Sequence, residues 1–129
     1  MEVKAFRLQP NEDIKKWLDS WSKEQQVNAA CILACVGSLQ CLSVRYAGRE
    51  DITFLKEKFE IISLVGTLSK HGSHLHIAVA DENGKVIGGH LKEGSLVNTT
   101  AEIVVGVLSG FEFQRNWDDA TGFKELTIQ

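Results

Sequence analysis

The chain has 129 residues, 14 of them basic and 17 acidic, with a formal net charge of −3 and a single proline. A chain of that length buries about two-thirds of the surface it would expose unfolded, so one domain over residues 1–129 needs neither disulfide staples nor a structural metal. The scattered Lys and Arg give no footprint of an autonomous duplex-DNA binder, and no apolar run approaches the ~20 residues that span a bilayer.

Met1-Glu2-Val3-Lys4-Ala5-Phe6-Arg7 lacks the basic-then-apolar pattern of a secretory signal, so a reducing, cytoplasmic setting is the expectation. Val3 to Leu8 alternates as a first strand, which Pro10 ends. A helix follows, with Asn11 as its cap, Glu12 and Asp13 at its positive end, and Ile14, Trp17, Leu18 and Trp21 at i, i+3, i+4 and i+7. Ala29 to Val36 and Leu39 to Tyr46 are extended and joined by Gly37-Ser38, which predicts a hairpin. Cys31, Cys35 and Cys41 are odd in number and match no zinc or redox spacing, so they are expected as free thiols. After a polar turn at Gly48-Arg49-Glu50-Asp51 and a short strand around Ile52 to Leu55, Phe59 to Leu68 is apolar on both sides. That pattern predicts a central strand covered on both faces. Glu60 is the anomaly in it, because a carboxylate within such a run needs water, a cation or donors. Val97 to Leu108 fits either a strand pair or one long bent strand. Phe111 to Arg115 and Phe123 to Ile128 read as two final strands around a turn at Asp118–Gly122. One helix among many strands predicts an α+β fold with a mixed, largely antiparallel sheet.

The informative stretch is Gly72 to Leu91. Leu75, Ile77 and Val79 alternate with small or polar residues, and Asp81-Glu82-Asn83-Gly84 suits a type I turn closed by a left-handed glycine, with Asp81 facing Lys85. Counting back places Ala80 opposite Val86, Ala78 opposite Gly88 and His76 opposite His90. His74, His76 and His90 then share one face, and Leu75, Ile77, Val79, Ile87 and Leu91 the other. A two-residue Asn-Gly turn would slip the pairing by one and send His90 among the aliphatics. The first register is preferred because it segregates the apolar residues.

Two histidines at i and i+2 of a strand stand ~7 Å apart at the backbone, and their rings can lean onto one ion, with a third from the neighbouring strand. Three imidazoles and an open fourth position for water, a substrate group or a carboxylate describe an exposed or catalytic divalent-metal site of zinc type, although nickel, copper and iron take the same ligands. Small residues at 78 and 88 leave room above that face. His71 reads as a solvated loop residue. Glu60 could orient a histidine, act as a catalytic general base or pair with an arginine, and Arg7 and Arg115 are candidate holders of a small anionic ligand.

Phe59-Glu60-Ile61-Ile62-Ser63-Leu64-Val65-Gly66, Leu75-His76, Asp81 to Leu91 and Thr100-Ala101-Glu102-Ile103 together resemble the plant-and-prokaryote conserved (PPC) domain. Arg7-Leu8-x-Pro10-x-Glu12-Asp13-Ile14 and Phe113-x-Arg115 fit it too, while Asn11 stands where the family often has glycine. The resemblance implies a homotrimer with the histidine face near a subunit boundary, and supports His74, His76 and His90 as ligands with Arg7, Glu60 and Arg115 around them. In plants the domain follows AT-hook motifs in nuclear regulatory assemblies, which implies DNA-associated regulation or scaffolding as the alternative function. No Arg-Gly-Arg-Pro core stands in these residues, so the minor-groove reader is missing here.

Overall fold

The computed structural model describes residues 1–129. The elements run β1 (Glu2–Leu8), α1 (Ile14–Glu24), β2 (Ala30–Leu39), β3 (Leu42–Arg45), β4 (Thr53–Leu55), β5 (Phe59–Ser69), β6 (Gly72–Ala80), β7 (Val86–Leu91), β8 (Val97–Val107), β9 (Phe113–Asp118) and β10 (Phe123–Ile128). Eight strands form one sheet in the order β1-β8-β2-β5-β6-β7-β3-β4, and β9 and β10 form a separate ribbon. Every pairing is antiparallel, so the expected mixed sheet is antiparallel throughout. No helix is long and apolar enough to cross a membrane.

One face of the sheet carries the core. Leu64 and Leu68 of β5, Leu75, Ile77 and Val79 of β6, Leu91 of β7 and Ile103 and Val105 of β8 are buried there with Ile14 and Leu18 of α1. Each such side chain contributes roughly 1.5–3 kcal/mol of burial. Phe6 from β1 packs its ring 4.7 Å from that of Trp17 and 5.0 Å from that of Trp21, so both helix tryptophans are packing residues.

The helix cap differs from the sequence expectation. Asp13 is the N-cap: its carboxylate accepts from the Lys16 amide at 3.1 Å and from the Gly94 amide at 2.7 Å, tying the start of α1 to the segment before β8. Asn11 instead sits at φ 71°, a left-handed conformation that glycine and asparagine enter most easily. The glycine that the resemblance leads one to expect at this position would meet the same backbone demand as the asparagine here.

The hairpin expected between Ala29 and Tyr46 does not form. β2 runs unbroken through Gly37 and pairs with β5 and β8, while β3 lies three strands from β5, between β7 and β4. Gly37 is required by proximity rather than by a turn, since a Cβ there would sit 2.1 Å from the Thr100 carbonyl oxygen. β8 is the single long strand of the two possibilities.

β5 is central but bare on its second face. Ile62 and Val65 are more than half exposed, as is Val36 of β2, and Leu33 is 47% exposed. The sequence pattern of β5 thus reports two apolar faces, of which this chain covers only one. The three cysteines are free, with Cys41 buried and the other two half-buried, and burial pushes the Cys35 thiol up to about 11.

Candidate metal centre

The β6–β7 hairpin has the register read from its turn: His76 opposes His90, Ala78 opposes Gly88 and Ala80 opposes Val86. Asp81 holds the turn, its amide donating to the Lys85 carbonyl at 2.9 Å and its carboxylate accepting from the Asn83 and Lys85 amides at 2.9 Å each. Gly84 takes φ 79°, the left-handed position that closes such a loop. Leu75, Ile77, Val79 and Leu91 go into the core, and His74, His76 and His90 stand on the opposite, outward face.

There the three rings meet. The Nε2 atoms of His74 and His76 are 3.1 Å apart, ring centroids are separated by 4.9, 5.0 and 5.7 Å, and one nitrogen from each ring lies within 4.8 Å of the others. Nitrogens bound at ~2.05 Å to a tetrahedral ion are about 3.3 Å apart, so modest ring rotation brings the trio onto one ion. The donor set also fits in charge. Desolvation, then the charges of His76, Arg115 and Arg45, push the His74 imidazole below its ordinary range, against the opposing pull of Glu125. His90 is lowered to about 4 by desolvation first, then by Lys92, His74, Arg45 and His76. Neutral imidazole is the form that binds a metal.

The rings line a cleft of about 620 Å³ whose walls include Arg45, Gly88, Gly89 and Phe123. Arg45 is opposite His90 across the β7–β3 pairing, and its guanidinium lies 5.8 Å from the centroid of the Phe123 ring. Arg115 donates to the Thr67 hydroxyl at 2.9 Å, and Thr67 is opposite His74 on β5. The β9–β10 ribbon thus brings Arg115 and Phe123 to the histidine face. A larger cleft of about 670 Å³ lies between β1 and the end of α1, but its charged residues, Glu2 and Lys4, neutralise each other at 2.7 Å.

The remaining sequence candidates are dispersed. Glu60 is exposed and opposite Ala80, four residues or about 13 Å along β6 from His76. Arg7 is on β1, four strands or about 19 Å from β6, and bonds Thr100 Oγ1, Gln9 Oε1 and the Thr99 carbonyl. His71 faces Glu112 at 3.6 Å, away from the trio. Arg45 and Phe123 carry no local signal in the sequence, since they enter the cleft through the non-local β3–β7 pairing and the fold of the terminal ribbon.

The profile of the Plants and Prokaryotes Conserved (PCC) domain matches residues 1–109. The chain belongs to this family. A curated relative, the bifunctional protein GlmU of a Synechococcus strain, is 41% identical over all 129 residues, which span 21% of its length. The chain therefore corresponds to about a fifth of that relative. An AT-hook motif nuclear-localized protein of Arabidopsis thaliana is 28% identical over 108 residues, 77% of this chain and 32% of that protein. Among solved structures, a hypothetical protein from Salmonella superposes with a TM-score of 0.96 at 41% identity, covering 99% of this chain and 93% of that one. A metal-containing protein from Archaeoglobus fulgidus gives 0.85 at 27% identity, with 98% and 94% covered. A candidate DNA-binding protein from Bacteroides thetaiotaomicron shares the fold, with a TM-score of 0.86 at 24% identity and 97% and 91% covered.

Proposed function

We propose that this PCC-domain chain binds one divalent metal ion of zinc type through His74, His76 and His90. The observation that carries the reading is the convergence of three imidazole nitrogens within 4.8 Å from two paired strands, over a floor of Ala78 and Gly88. The metal-containing relative from Archaeoglobus fulgidus supports it. Such an ion supplies Lewis-acid polarisation of an oxygen ligand. The chain's own residues favour the neutral form of His74 and His90 and line the cleft. The test is metal analysis of purified protein by mass spectrometry, with His90→Ala as control: one equivalent per chain is expected in the wild type and close to none in the variant. Equal content in both ends the reading.

We also propose that the bare apolar face of β2 and β5 is covered by further copies in a homotrimer, as the family resemblance implies. Leu33, Val36, Ile62 and Val65 offer the surface. Glu60 and Arg7, distant from the trio within one chain, would reach a histidine cluster only from a neighbouring copy. Light scattering of the purified protein gives the mass, and a monomer at micromolar concentration removes this part.

The second reading, DNA association, is motivated by the Arabidopsis relative. Binding that rests on phosphate contacts weakens steeply with salt, so an anisotropy titration of duplex DNA at low and high salt decides it. The net charge of −3 leads to the expectation of weak or absent binding.

A further inference from the structure

The charges around the histidine cleft do not balance. Arg49 is neutralised by Asp51, with which it makes two hydrogen bonds of 3.0 and 2.9 Å. Arg45 and Arg115 have no carboxylate partner within salt-bridge distance; one lies over the Phe123 ring and the other holds the Thr67 hydroxyl. With Lys92, which acts on His90, they outnumber Glu50, which lines the cleft, and Glu125, which acts on His74. Three neutral imidazoles bring no counter-charge to a divalent ion, so loading the site makes the imbalance larger by two. That positive excess favours an anion from outside the chain.

The walls narrow its class. Arg45 and His90 are directly opposite, which sets their Cβ atoms about 5 Å apart, and both line the cleft, so a guanidinium fork shares it with the three imidazoles. Guanidinium recognises a carboxylate through two parallel N–H donors. The exposed Phe123 ring, with Gly88 and Gly89, adds an apolar wall that an inorganic oxyanion would leave unused. A volume of about 620 Å³ admits a molecule of several carbons.

We propose that the cleft receives a small organic acid, its carboxylate between Arg45 and the histidine-held ion and its carbon body against Phe123. This ligand assignment rests on the metal reading above. Arg115, held on Thr67 and close enough for its charge to act on His74, adds positive charge beside the cleft.

The test uses the full chain loaded with cobalt(II), whose visible absorption reports the ligands of the ion without any assumed reaction. Titration with propionate and with lactate should shift the bands and saturate, and inorganic phosphate should bind more weakly than either. Arg45→Met should weaken both acids at least tenfold at unchanged cobalt content, and Arg45→Lys should recover part of the loss. Phe123→Ala provides an independent variant at an exposed position: it should weaken propionate and leave phosphate unchanged. Equal acid affinity in wild type and Arg45→Met, or tighter phosphate than acid, overturns the organic-acid site while leaving the metal in place. Failure of the wild type to take up cobalt overturns the metal reading itself, and the ligand assignment with it.

Discussion

The two faces of the β6–β7 hairpin are built from alternate residues of the same strands and meet opposite fates. On the inner face Leu75, Ile77, Val79 and Leu91 are at most 3% exposed and join the helix in the core. On the outer face, one residue before Leu75, Ile77 and Leu91 respectively, His74, His76 and His90 stand in a cleft. The inner face supplies stability and the outer one supplies chemistry, and the turn at Asp81–Lys85 sets which side chain goes where. Since the two share a backbone but few contacts, they should be separable by mutation.

The largest effect expected on the outer face is on metal. Removing two ligands together, with His74→Ala and His76→Ala, should abolish uptake, while urea unfolding of the metal-free protein moves by no more than about 1 kcal/mol because the rings pack on little. A collapse of the metal-free fold would show that the faces are not independent. Next comes the inner face: Leu75→Ala should cost about 2–5 kcal/mol in urea unfolding and leave one metal per folded chain. A stable variant lacking metal would reverse the assignment of roles.

A pH series sharpens the contrast further. His90 titrates at about 4 in the folded chain against about 6.5 when unfolded, so the unfolded chain binds the extra proton between those values. The stability linked to His90 is therefore complete above about pH 6.5 and is lost as the pH falls through about 4. Melting temperature in metal-free buffer should drop across that window, and His90→Gln should flatten the drop. An unchanged profile in the variant would place the acid sensitivity elsewhere. The smallest effect is expected at the turn. Asp81→Ala removes two hydrogen bonds to backbone amides and should cost about 1 kcal/mol with metal binding retained, because Gly84 still selects the register. Loss of metal with little loss of stability would instead mean that Asp81 alone prevents the one-residue slip.

What the sequence revealed was local. The histidine face followed from four turn residues and the two-residue period of a strand, and the phase of the helix followed from Ile14, Trp17, Leu18 and Trp21. Both signals operate within a stretch of about twenty residues. What it concealed was non-local. Gly37 looks like a turn until the Thr100 carbonyl is seen against it, and Arg45 gains meaning only when β3 is found beside β7 rather than β2. Glu60 stood out as a carboxylate that needs water, a cation or donors, and it is exposed; its sequence neighbours gave no sign that the histidines lie about 13 Å away. The doubly apolar pattern of β5 predicted cover on both faces, and one of the two has no partner within this chain.

The β9–β10 ribbon pairs only with itself, and an isolated two-stranded ribbon is marginally stable. It is moored to the main sheet by the Ser69 hydroxyl on the Phe113 carbonyl, the Phe113 amide on the Asn28 carbonyl and Arg115 on Thr67. Arg115 and Phe123 therefore ride on a detachable awning, whereas the imidazoles are anchored in the masonry beneath. Grafting a different awning onto the same foundation would change which guest is admitted while leaving the grip on the ion intact.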